Sequence, residues 1–188
     1  MTTLTRRAFV VGAPFALAAC SSDPVWAPDA AVNAATYRSG GPSALTLFTV
    51  KNTGSDNGAH SALLIDGSQR VLFDPAGSFE ADVSPERNDV LFGFSPAVER
   101  AYVSYHARRE FYVVVQNIAV PAPVAEQAMR LAFANGAEPK AHCTRATSRL
   151  LRQLPGFDAI GGTWFPNNLS DAFGAISGVA TREVREQD

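Results

Sequence analysis

The run Phe111–Val120, FYVVVQNIAV, constrains the fold more than any other stretch of this chain. It is rich in β-branched and aromatic residues and reads as a strand. A strand needs neighbours to satisfy its backbone, and the sequence offers them. Ala44–Lys51 (ALTLFTVK) has the same character, and two short apolar runs, Ala59–Ile65 and Arg70–Asp74, flank Asp66-Gly67-Ser68. That triplet reads as a hairpin turn.

Helical signals alternate with these strands. Ser95-Pro96 supplies an N-cap and a proline at the first helical position, and Val98, Ala101, Tyr102 and Tyr105 recur at helical spacing, predicting a helix over Pro96–Arg108. A second helix is expected over Pro123–Asn135, stopped by Gly136, and a third over His142–Leu154. The fold class is therefore α+β: an antiparallel sheet with helices on one face, in a single domain over residues 44–178. Ala76–Pro96 reads as a long loop, placed to act as a lid or specificity loop. Residues 20–43, rich in Ala, Pro, Ser, Asp and Gly, read as a flexible tether, and residues 179–188 as a charged tail that frays. The net charge of −2 gives no basic field for nucleic acid.

The first residues, MTTLTRRAFVVGAPFALAACSS, place Arg6 and Arg7 before an uncharged apolar run, Ala8–Ala19. That run is shorter than a membrane-spanning helix and matches an export signal over residues 1–19. Leu17-Ala18-Ala19-Cys20 resembles a bacterial lipobox, which implies that Cys20 is acylated and becomes the new N-terminus. Ser21 after it implies the outer membrane, with the chain facing the periplasm. Thr5–Val10 also resembles the twin-arginine export motif; an ordinary signal serves equally, and both routes end in the periplasm. The expected partner is thus the membrane, through lipidated Cys20.

Acylation of Cys20 leaves Cys143 as a lone thiol in an oxidising compartment. Such a thiol is an intermolecular partner, a reactive group or a small buried hydrophobe. Pro139 forces the helix to begin beyond it, so Cys143 falls in the first turn, where backbone N–H groups favour a thiolate. Ala146, Leu150, Leu151 and Leu154 share its face, so burial fits the pattern equally well. A base would separate these readings. His142 points about 100° away around the helix, and His106 falls on a helix flank beside Arg108 and Arg109. His60 lies within the strand GAHSALLI. If the hairpin loop is Asp66-Gly67-Ser68, Asp74 faces His60 across the ladder, able to orient the imidazole, whereas a four-residue loop places them on opposite faces; alternatively Asp74 simply initiates a turn before Pro75. No metal or other cofactor is expected, because adjacent His142 and Cys143 match no usual ligand spacing.

The segments NGAHSALLIDGSQRVLFDPAG and AEPKAHCTRATSRLLRQL, in that order, resemble the circularly permuted papain-like thiol enzymes. These include relatives of the NlpC/P60 cell-wall peptidases and the lecithin–retinol acyltransferase-like proteins. The resemblance implies Cys143 as nucleophile, His60 as general base and Asp74 as the third polar group. It implies a hydrolase or acyltransferase acting on a cell-envelope amide or ester, a peptidoglycan peptide or a lipid, through a thioacyl intermediate. The alternative is a non-catalytic lipoprotein module for binding or assembly on the same fold.

Overall fold

The computed structural model describes residues 24–186. The export signal expected over 1–19, with Arg6 and Arg7, and the acylation site Cys20 lie outside the described residues.

The described chain is mixed α+β. Its sheet is antiparallel and seven-stranded, built from β1 (Ala44–Asn52), β2 (Gly58–Asp66), β3 (Arg70–Phe73), β4 (Glu86–Arg87), β5 (Val90–Leu91), β6 (Phe111–Ala119) and β7 (Ala180–Val184). The strand order is β4-β5-β3-β2-β1-β6-β7. β1 and β2 thus lie inside the sheet, each paired on both edges. The helices are α1 (Asp29–Ala35), α2 (Pro96–His106), α3 (Ala122–Ala134), α4 (Cys143–Leu151) and α5 (Pro166–Gly174).

Helices cover both faces of the sheet, not one. Leu45, Leu47, Leu63, Ile65 and Phe73 pack with α3, α4 and α5. The alternate residues Phe48, Val50, Ala62, Leu64 and Leu72 pack with Val98, Tyr102 and Val103 of α2. The sequence carried a sign of this double coverage. LLI in β2, VLF in β3 and VVV in β6 are continuous apolar runs, whereas a one-sided sheet alternates apolar with polar. Fully burying each such side chain contributes roughly 1.5–3 kcal/mol.

The hairpin loop has three residues, but it is Gly67-Ser68-Gln69, because Asp66 pairs with Arg70. The shift by one position moves both strands together. Asp74 therefore stays on the face of His60 and Ala62, although it projects beyond Ala62 rather than directly across from His60.

Three stretches differ from expectation. The 76–96 segment is no free loop: β4 and β5 form a hairpin within it, and β5 pairs with β3. Its turn, Asn88-Asp89, has φ of 45° and 64°, the two left-handed positions of a tight hairpin turn. Residues 24–43 are docked rather than a free tether. Val32 of α1 is buried, Ala27 donates its backbone N–H to Glu86, and Arg70 donates to Tyr37. The tail does not fray over 180–184; it is the edge strand β7, paired with β6 from Val113↔Val184 to Asn117↔Ala180. Among the described residues, no helix is long and apolar enough to cross a membrane.

Candidate active site

α4 begins at Cys143, after a turn in which His142 donates its N–H to Pro139 and Ala141 takes a left-handed φ of 67°. A non-glycine residue in that conformation costs of order 1–3 kcal/mol and persists only where packing enforces it. The enforcement comes from buried neighbours. Ala146, Leu150 and Leu151 of α4 are buried against the sheet, and Thr144 Oγ1 lies 3.1 Å from Ser61 Oγ of β2. Ser61 follows His60, so this contact fixes the helix start against the strand that carries the imidazole.

Cys143, His60 and Asp74 meet. His60 Nε2 lies 2.6 Å from Asp74 Oδ1, the thiol of Cys143 lies 3.8 Å from Thr144 Oγ1, and the His60 ring is near enough to lower the thiol's pKa. A carboxylate only accepts, so Nε2 carries the proton toward Asp74 and Nδ1 is the nitrogen left for sulfur. Tyr102 of α2 donates its hydroxyl to the same Asp74 oxygen at 3.0 Å. The backbone after Asp74 turns through Ala76 at φ 55°, and Gly77 gives the carboxylate its room. A Cβ at position 77 would lie only 2.0 Å from Asp74 Oδ2.

These contacts set the charges. Burial pushes the Cys143 thiol up, but the hydrogen bond and charge of His60, with a backbone hydrogen bond from Ser61, outweigh it and bring the pKa down to about 7. Burial pushes His60 down, and the charge and hydrogen bond of Asp74 reverse this, raising its pKa to about 10. Between those values the pair is a thiolate and an imidazolium. Burial holds the Tyr102 hydroxyl well above its ordinary range, and the Asp74 charge adds to this, so it remains a donor.

Two participants escape a reading of the sequence. Tyr102 reads there as one more residue of an apolar helical stripe. His106, read from the sequence only as a helix-flank residue beside Arg108 and Arg109, stacks on His60, with ring centroids 5.8 Å apart. His106 Nδ1 donates to the backbone oxygen of Tyr102 at 2.9 Å. A signal for both exists: positions 102 and 106 are four apart, on one helical face with Val98 and Val103. What that face meets is invisible until the sheet is folded.

His142 does not share the thiol's proton, in line with its direction around the helix. Its Nδ1 lies 3.3 Å from Glu138 Oε2, and its ring meets Trp164 edge-on at 4.8 Å. Glu138 is buried and also accepts from Arg149 at 2.5 Å. Trp164 and Phe165 are exposed, and the guanidinium of Arg145 lies 5.0 Å over the Trp164 ring. Phe165 lines a cavity of about 420 Å³ with Asn57, Gly58 and Asn167, two residues along β2 from His60. Aromatic and amide side chains thus stand beside the start of β2 and the start of α4. Among the described residues, no group of three or more His, Cys, Asp or Glu is placed to hold a metal ion.

Compared with known proteins, the chain matches no family model, no curated protein and no solved structure.

Proposed function

We propose that the chain is a thiol-dependent acyl-transfer enzyme, a hydrolase or acyltransferase, with Cys143 as nucleophile, His60 as its acid–base partner and Asp74 orienting the imidazole. The observation that carries this reading is the His60 ring, bonded through one nitrogen to Asp74 at 2.6 Å and near enough to the Cys143 thiol to lower its pKa. A buried structural cysteine has no use for such a partner.

The thiolate attacks an amide or ester carbonyl carbon, forming the C–S bond and placing negative charge on the carbonyl oxygen. N–H groups in the first turn of α4 lack intrahelical acceptors and face that charge. His60 gives its proton to the departing amine or alcohol as the C–N or C–O bond breaks, leaving a thioester. His60 then takes a proton from the second acceptor, water or an amine, which displaces the thiolate.

The order of parts supports a permuted papain-like architecture: histidine on a strand, aspartate after the next strand, cysteine opening a later helix. Lipidation at Cys20 after export would hold the domain on the periplasmic side of the outer membrane, and the substrate is a cell-envelope amide or ester, either a peptidoglycan peptide or a lipid.

A second reading, a non-catalytic lipoprotein module, is favoured by one observation: Cys143 is only 7% exposed. A fluorophosphonate-free, thiol-directed acyl probe separates the two. The folded protein is expected to label at Cys143, and His60→Ala and Asp74→Ala to label at least about tenfold more slowly. Labelling that requires denaturant would leave the binding module as the better account.

A further inference from the structure

Seven large hydrophobic side chains are exposed among the described residues, and they fall into two groups. Tyr105 and Trp164 meet the rings of His106 and His142, and Phe165 lines a cavity with Gly58. Val25, Trp26, Val83 and Phe133 have no part in the thiol site, although they are 49%, 64%, 68% and 41% exposed. Trp26 and Phe133 line one cavity with Arg87 and Phe92. Val25 and Val83 line adjoining grooves that share Asp82 and Pro85. These four side chains therefore gather where the described chain begins.

The patch is held in place. Asn88 donates its N–H to Val25 at 3.0 Å, and Ala27 donates to Glu86 at 2.9 Å. The Arg87 guanidinium lies 4.7 Å over the Trp26 ring and pairs with Asp29 at 2.5 Å. Phe133 stacks on Phe92. Apolar groups fixed in water at this density mark a surface that meets something apolar.

The chain itself indicates what. Cys20 precedes Pro24 by four peptide steps, which span at most about 14 Å when fully extended. Because residues 24–43 are docked and not a free tether, an acylated Cys20 would keep Val25 and Trp26, which directly follow Pro24, within reach of the lipid headgroups. Glu80, Asp82 and Asp29 stand near the patch, so charge does not draw it to anionic lipid; apolar contact must.

We infer that Val25, Trp26, Val83 and Phe133 form a membrane-resting face, which inserts shallowly into the bilayer interface beside the acyl anchor and fixes the orientation of the domain. The inference rests on the proposed lipidation of Cys20. Tryptophan suits this role, since its apolar ring and polar N–H match the headgroup boundary. Apolar faces of this kind bury about 5–10 Å deep.

The test uses the full-length lipidated chain carrying Trp164→Phe, which leaves Trp26 as its single tryptophan. It is reconstituted in phosphatidylcholine vesicles whose acyl chains are brominated near the headgroup. Trp26 emission is expected to fall at least about twofold, independent of salt, as shallow apolar insertion requires. Val83→Asp with Phe133→Asp, both at exposed positions, is expected to abolish most of that quenching while the anchor keeps the protein on the vesicle. Lipidated protein with unquenched Trp26 would overturn the membrane face and leave lipidation standing. Absence of acyl chains on Cys20 by mass would overturn both. Concentration-dependent blue-shifted emission without lipid would assign the patch to a second copy of the chain, and that too would overturn the inference.

Discussion

The His106 ring lies parallel to that of His60, with an interplanar angle of 4° and centroids 5.8 Å apart. Burial lowers the His106 pKa, and the nearby His60 charge acts in the same direction; a hydrogen bond to the Tyr102 backbone and the Asp74 charge oppose them. The stack therefore holds one cation, on His60, and a neutral ring against it. A permanent charge at position 106 should disturb this. His106→Lys is expected to lower the upper pH limit of the His60 imidazolium, read by NMR titration of its ring, by about one unit or more, because a like charge disfavours the cation. His106→Gln, which keeps a donor for Tyr102, should leave that limit within about half a unit. Equal effects of the two variants would mean that packing, not charge, is what position 106 contributes.

The thiol titration follows from the two pKa values. The Cys143 pKa is lowered to about 7, so thiolate forms as pH rises through that value, and the His60 pKa near 10 ends the ion pair above it. Iodoacetamide alkylation of the folded protein should rise with a midpoint near pH 7. His60→Ala removes the lowering and leaves the burial cost, so the midpoint should move above the ordinary value of about 8.5. For stability the signs differ. The raised His60 pKa stabilises the fold fully below about 6.5, and this contribution is lost as pH rises through about 10. A midpoint unchanged by His60→Ala would separate the imidazole from the thiol.

Asp74 accepts from both His60 and Tyr102 through one oxygen. Asp74→Ala leaves two buried donors unsatisfied and should cost about 1–3 kcal/mol for each. Tyr102→Phe removes only a donor and should cost about 1 kcal/mol. Gly77→Ala is a sharper probe, since its Cβ would fall 2.0 Å from Asp74 Oδ2 and displace the carboxylate without removing it. Gly77→Ala should reproduce the loss of thiol reactivity expected of Asp74→Ala. Wild-type reactivity in Gly77→Ala would show that His60 does not depend on the observed carboxylate position.

Asp89, in the turn between β4 and β5, accepts the backbone N–H of Glu138 at 2.7 Å. Burial, aided by the charges of Glu86 and Asp74, raises its pKa from 3.8 to about 6. A carboxyl raised in the folded state stabilises it below the unfolded value and loses that contribution as pH rises through about 6. Asp89→Asn retains an oxygen for the Glu138 N–H and cannot ionise. Its stability relative to wild type should improve by on the order of 1–2 kcal/mol between pH 4 and pH 7.5, measured by urea unfolding at both values. A difference that stays constant with pH would contradict the raised pKa.

Local structure was largely legible before folding. Ser95-Pro96 opens α2 as expected, with Ser95 Oγ accepting from Val98 N at 3.4 Å. The β6 run ends within one residue of its expected limit, and Pro139 does delay α4 until Cys143. The β4–β5 hairpin was missed because its strands have two residues each, too short for any periodicity, although Asn88-Asp89 is a turn pair that tolerates positive φ. β7 was missed because its residues ATREV are polar and mostly exposed. An edge strand of that kind, with Arg182 and Glu183 charged on its two faces, carries no burial signal.

By itself, the amino-acid order left the length of the β2–β3 loop open but determined β1, β2, β3 and β6, the helices α2, α3 and α4, and the position of a sulfur at a helix start. Those are consequences of backbone propensity and side-chain period, which act over a few residues. Tertiary structure alone decided that β2 lies inside the sheet, that α2 covers the face opposite α4, and that residues 24–43 fold back onto the domain. It also decided that Tyr102 and His106 gather around the imidazole. These depend on which apolar surfaces exclude water together, a competition among segments far apart in the chain that no local pattern encodes.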